Sequence, residues 1–343
     1  MSELVFSNIL NKKIRKGDWQ EQLISTYEKI LIALREGRRE DAVELVGYFM
    51  EEARICYDIY QQWSADFLRC IADQPDCIHG EIEGLKRDLS NLLGENGVPF
   101  DPEARWIDLH ERRAGLVRRI NGGAPLPQLF REVDELREAW RKLHDRYVDY
   151  CYGILSHIAN RFGEEKVETA YREYAIGDLF GYRYKFFSPE NHWEEAFPVL
   201  VYLAIESMRA HLCGPRRWGE MDFYEDDEKI VVEFDACGSG GRSLRGDPME
   251  GTPPRMEAPY HFRVTEKPYP WAWNKKGIGY YCAHCCILME KIPLEQWGYP
   301  IRVLEPPTYP DRKDAKCRWI HYKDRNKVPA EVWERLGMRK PES

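Results

Sequence analysis

The sequence predicts an α+β protein: an antiparallel helical bundle over residues 1–177, then a smaller α+β domain over 178–343 with a cysteine-rich metal site. Three observations lead there. Apolar residues recur at three- and four-residue steps through the first half. After Tyr174 the period becomes two or continuous, and Gly and Pro crowd into loops. Five of the ten cysteines (Cys237, Cys282, Cys285, Cys286 and Cys317) fall in the last third.

The elements follow in order. From Asp18, the residues Leu23, Ile24, Tyr27, Ile30, Leu31 and Leu34 read as helix, and Gly37 offers a stop. A long helix is predicted from about Glu40 to Ala72, and another from Ile78 to Leu93. Asp101-Pro102-Glu103 is a helix start, with an N-cap, a first-turn proline and an early acid. That helix stops at Asn121-Gly122-Gly123. A second long helix covers about Leu129 to Phe162, and a short one Glu165 to Tyr174. Matches such as Glu44-Leu45 with Glu135-Leu136, and Asp58 with Asp149, hint that the long helices are copies. Beyond an aromatic, glycine-punctuated stretch, Trp193 to Leu212 reads as helix. Lys229–Phe234, Gly279–Cys282, Ile301–Leu304 and Cys317–Tyr322 read as strands, and Ala330–Leu336 as a closing helix.

Composition limits the function. With 343 residues, 43% hydrophobic and 31% charged, the chain can bury a sizeable core. A net charge of −8 argues against a nucleic-acid partner. The most apolar run, Phe197 to Ile205, is far shorter than the ~20 residues that span a bilayer, so no membrane partner is expected. The first residues lack the apolar stretch of a secretory signal. The expectation is a soluble cytoplasmic protein, where reducing conditions argue against disulfides.

The chemistry lies in the cysteines. Cys282 and Cys285 stand at C-x-x-C spacing on one knuckle, which lets both sulfurs face one tetrahedral centre. Cys237 and Cys317, at strand ends, are the expected third and fourth ligands, with His321 as substitute because it shares a strand face with Cys317. Zinc is the expected metal, and an Fe–S cluster the alternative, since it also takes four thiolates. Buried cysteines also behave as small apolar residues, which accounts for Cys286 at the head of an apolar run. A redox dithiol is a further reading, but the motif is not expected to open a long helix.

Gly238-Ser239-Gly240-Gly241-Arg242 follows a strand, with no helix expected at its end. Its backbone N–H groups can cradle an anion and Arg242 can clamp one; the plainer reading is a flexible turn. Cys237 is also a candidate nucleophile, with Asp235 as base, His284 as relay and the glycine loop as oxyanion hole. In the helical half, Tyr60, His144, Asp145 and neighbouring aromatics read mostly as core. They lack the Glu-x-x-His pairs of a di-iron site, though a Tyr/His-lined pocket at the junction of the halves fits where ligand sites occur.

Arg161-Phe162-Gly163-Glu164-Glu165 leads to Tyr171-Arg172-Glu173, then to a strand ending at a cysteine and a later cysteine knuckle. In this the second half resembles the L-2-amino-thiazoline-4-carboxylate hydrolase-like group of bacterial proteins. The resemblance implies cysteine-dependent hydrolysis of a small ring or amide, with Cys237 at the matching position. The long helical region and the dense Cys282–Cys286 knuckle depart from it.

The expected function is that of a metal-dependent hydrolase or lyase acting on a small organic acid or amide, with homo-oligomerisation through the helical half. The alternatives are a non-catalytic interaction scaffold with structural zinc, and an Fe–S or thiol redox protein.

Overall fold

The computed structural model describes residues 2–177, 181–235, 237–310 and 316–341. It is mixed helix and sheet. Strands β1 (Leu4–Ser7) and β2 (Lys12–Arg15) pair as a hairpin. Helix α1 (Trp19–Leu23) then ends early. Ser25 accepts from the Glu28 N–H while Glu28 reaches back, and this capping box starts α2 (Thr26–Arg35) afresh. One expected helix therefore becomes two.

Helices α3 (Arg39–Ala72), α4 (Glu81–Leu92), α5 (Pro102–Asn121) and α6 (Leu126–Phe162) follow. Asp101 caps α5 as expected. Helix α6 starts before Leu129 because Pro127 sits in its first turn, where a missing N–H costs nothing. The two long helices run parallel to each other. Arg39, at the start of α3, donates to Ile120 O at 2.8 Å and Ala124 O at 3.1 Å, just before α6 begins. Further along, Tyr60 meets His144 and Cys151. The connection through α4 and then α5 returns the chain to its starting end. Each long helix is antiparallel to a short one: Tyr27 of α2 reaches Asp134 of α6, and Trp106 of α5 stacks on Tyr57 of α3 at 4.3 Å.

Helix α7 (Glu165–Thr169) continues as a π-helix over Ala170–Ala175. The Trp193–Ala210 helix lies along α3, tied by the buried Arg209–Glu52 pair at 2.8 Å and the Tyr48–Tyr202 hydroxyl contact. Among the described residues no helix is long and apolar enough to cross a membrane.

The second half holds an antiparallel sheet of order β3 (Asp222–Glu225), β4 (Lys229–Phe234), β6 (Cys317–Tyr322), β5 (Val303–Glu305). Register places Phe234 opposite Cys317, so the end of β4 and the start of β6 share one end of the sheet.

Two expectations fail. A short helix does follow the glycine loop, over Gly240–Arg245. The segment Gly279–Cys282 is no strand and makes only an isolated bridge from Gly279 to Val264. Instead Cys282 opens a helical run, Ala283–Cys286, a π-helical Ile287–Lys291, and Ile292–Trp297. A helical run thus follows the motif, against the expectation that it opens no long helix, while the sheet is antiparallel and, among the described residues, no βαβ unit surrounds it. The buried core passes without interruption across the expected boundary at 177/178.

Candidate metal centre

Four cysteines meet where the helical half packs on the sheet half. Beyond Phe234 the chain turns through Gly238, whose φ of +67° suits glycine and which packs against the His211 carbonyl. Gly240 presses its backbone on the Cys282 sulfur so closely that a Cβ would overlap it. The Gly241 N–H donates to Cys237 Sγ at 2.9 Å. Cys282 and Cys285, one helical turn apart, face the same space, and Cys317 enters from the first position of β6.

Cys237, Cys282, Cys285 and Cys317 line one cavity with about 70 Å³ of free space. His284 lines it too. Its Nδ1–H donates to Tyr281 O at 2.6 Å, which leaves Nε2 to accept from the Cys285 thiol at 3.2 Å. Burial keeps this imidazole neutral, with its pKa down to about 4, and pushes the Cys285 thiol up to about 12. Burial and the neighbouring cysteines likewise raise Cys282 and Cys317. Without a metal, Cys282, Cys285 and Cys317 are thiols, not thiolates.

Two buried arginines complete the wall, Arg183 and Arg302. Arg302 stacks on Trp319 at 3.5 Å, and burial lowers its pKa to about 9. Its Nε has no hydrogen-bond partner among the described residues. A buried cation without a carboxylate is costly, and thiolates around a metal would offset it.

The helical wall contributes a polar chain whose Tyr60, His144 and Asp145 read from sequence mostly as core, with a Tyr/His-lined pocket at the junction as the alternative, and whose His211 the sequence did not single out. Trp140 donates to the Ala210 carbonyl at 2.8 Å and so fixes His211 at the end of its helix. His211 Nδ1 lies 2.8 Å from His144 Nε2 and 3.0 Å from the Tyr60 hydroxyl. His144 Nδ1 lies 2.8 Å from Asp145. Burial alone would raise Asp145, but Arg217 and Arg242 hold it well below the usual carboxylate range. Burial also lowers both histidines. The result is Asp145–His144–His211, an ionised carboxylate and a buried neutral imidazole behind His211, the member of the chain that lines the cavity. Donor atoms of Cys56, His144 and His211 all lie within 4.8 Å of one another and could take a metal. Yet nitrogens on one tetrahedral zinc stand roughly 3.3 Å apart, given bonds of 2.0–2.1 Å, so the 2.8 Å contact is a hydrogen bond.

Other expected residues lie elsewhere. Asp235 pairs with Arg245. Arg242 is buried against Asp149 at 2.6 Å. Both border a separate cavity of about 520 Å³ behind the glycine loop, away from the cysteines. His321 stands four residues along β6 from Cys317, about 13 Å at strand rise, and lines a different pocket with Trp193 and Tyr299. Cys286 turns into the core, accepting from the Trp273 N–H at 3.4 Å.

A second space of about 300 Å³ shares Ile55, Ile59, Arg183 and Ser207 with the cysteine cavity. It is a vestibule edged by Lys12, Arg54, Asp58 and Glu206. What fold and site together define is a cysteine-lined cavity between a helical layer and a small sheet. Comparison with protein-family models, curated proteins and solved structures found no match.

Proposed function

We propose that this protein is a metalloenzyme whose centre is held by Cys237, Cys282, Cys285 and Cys317, and that it acts on a small polar organic molecule entering through the vestibule. The observation that carries the reading is the convergence on one cavity of four cysteines and His211, which is backed by His144 and Asp145. Thiolates supply a metal site, and an imidazole with a carboxylate behind it supplies a proton acceptor. His211 takes the role of base that the sequence reading gave to Asp235. The vestibule is at the small end of ligand-site sizes, which suits a small organic acid or amide.

The test is a thermal-shift screen of metal-loaded protein against small carboxylates, amides and thiazoline rings, followed by assay of turnover for each binder. At least one compound is expected to raise Tm and be consumed, with turnover lost in His211→Gln while binding persists. If no compound shifts Tm, the scaffold reading replaces this one.

A further inference from the structure

We infer that the group held by Cys237, Cys282, Cys285 and Cys317 is an iron–sulfur cluster and not a single zinc ion. The inference rests on the metal centre proposed above and names its content.

Spacing is the first reason. A zinc ion with four bonds of about 2.3 Å needs sulfurs roughly 3.8 Å apart, and three or more would stand within that distance of one another. Among the described residues only Cys56, His144 and His211 form such a trio within 4.8 Å; no three of the four cysteines do. The four cysteines nevertheless line one and the same cavity. A cluster spreads its thiolates over several irons and so wants a wider ring.

Room is the second reason. The free space of about 70 Å³ is several times the roughly 10–15 Å³ that one water needs. A lone zinc at the centre of its ligands needs no such void. Sulfide-bridged irons do.

Surroundings are the third. Four thiolates around a cluster core leave a net negative charge in a buried site. Arg302, stacked on Trp319 and without a carboxylate partner among the described residues, is a matching cation. The Gly241 N–H aimed at Cys237 Sγ is the kind of hydrogen bond that stabilises and tunes a cluster sulfur. Trp63, Trp273, Tyr281 and Trp319 wall the cavity and limit water. Transfer of a preformed cluster from a carrier's thiolates breaks four S–H bonds here, forms four Fe–S bonds, passes the protons to the released carrier thiolates, and changes no oxidation state.

The test uses full-length protein purified without oxygen and analysed for iron, zinc and acid-labile sulfide. Visible absorption and electron paramagnetic resonance are recorded before and after dithionite. The expected result is iron and sulfide in equal amounts, with a broad visible absorption that bleaches on reduction. About one zinc per chain without sulfide would overturn the cluster and leave the metal centre standing. No metal, even after incubation without oxygen with ferric iron, sulfide and excess thiol, which supplies the electrons a mixed-valent core needs, would overturn both. Cys286→Ala is the folding control and should keep its iron, whereas Cys285→Ala should lose it. Iron lost from Cys286→Ala but kept in Cys285→Ala would overturn the ligand assignment.

Discussion

The Arg302 guanidinium stacks on Trp319 and lines the cavity with Cys282, Cys285 and Cys317, whose thiols burial keeps neutral. In metal-free protein that charge has no ion-pair partner among the described residues, and Glu290, paired with Arg335, acts on it only as a more distant carboxylate. Arg302→Leu is therefore expected to stabilise the metal-free form, by about 1–3 kcal/mol in urea titration, while weakening metal retention against a chelator. Destabilisation of the metal-free form would show that the cavity does not need an anion. His321 sets a pH dependence. Burial, then Arg302, lowers its pKa to about 3, against about 6.5 in the unfolded chain. As pH falls below 6.5 the unfolded chain takes the proton and the folded one does not. Stability is thus full above 6.5 and lost toward pH 3. From pH 7 to pH 5, wild type should lose about 2 kcal/mol more than His321→Leu; equal losses would contradict the assigned burial. At this scale the sequence showed the thiols well, because C-x-x-C spacing and strand-end positions are local signals. It singled out Tyr60 and His144, read mostly as core with a pocket at the junction as the alternative, but missed His211, since buried polar residues on amphipathic helices share the period of the core. It misplaced Asp235, Arg242 and His321, because nearness in sequence does not say which side of a loop, or how far along a strand, a side chain lies.

Gly240 shows how an element carries the site. Its backbone lies on Cys282 Sγ where a Cβ would overlap. Gly240→Ala must push loop and sulfur apart. The expected outcome is loss of most bound metal with unchanged far-ultraviolet circular dichroism; full metal content would show that the loop can yield. Ser25→Ala removes the capping box that starts α2 and should cost about 1 kcal/mol. That boundary was readable in Ser25 and Glu28, yet the apolar run through Ile24 masked it. The direction of the long helices was not readable. It depends on the connection through α4 and α5, and periodicity carries no direction. The two π-helical segments, Ala170–Ala175 and Ile287–Lys291, likewise have no sequence signal, though Tyr171 of the first donates to the carbonyls of Tyr280 and Tyr281 beside the cavity.

Across the whole molecule the two halves share one core. Tyr60 and Trp63 of α3 pack on Tyr281 and His284 of the second half. Residues 1–177 alone would expose that face. The isolated segment is expected to bind a hydrophobic dye and melt broadly; a sharp cooperative melt would show an independent unit. The shared face also explains where the chemistry sits. The sheet register brings Cys317 and the end of β4 together, the helix opened at Cys282 adds two sulfurs, and the helical layer adds the histidines. The most direct test of the central claim is X-ray absorption at the edge of the bound metal in full-length protein. The account predicts a first shell of sulfur alone at about 2.3 Å. A first shell rich in nitrogen would place the metal on Cys56, His144 and His211, and would contradict it.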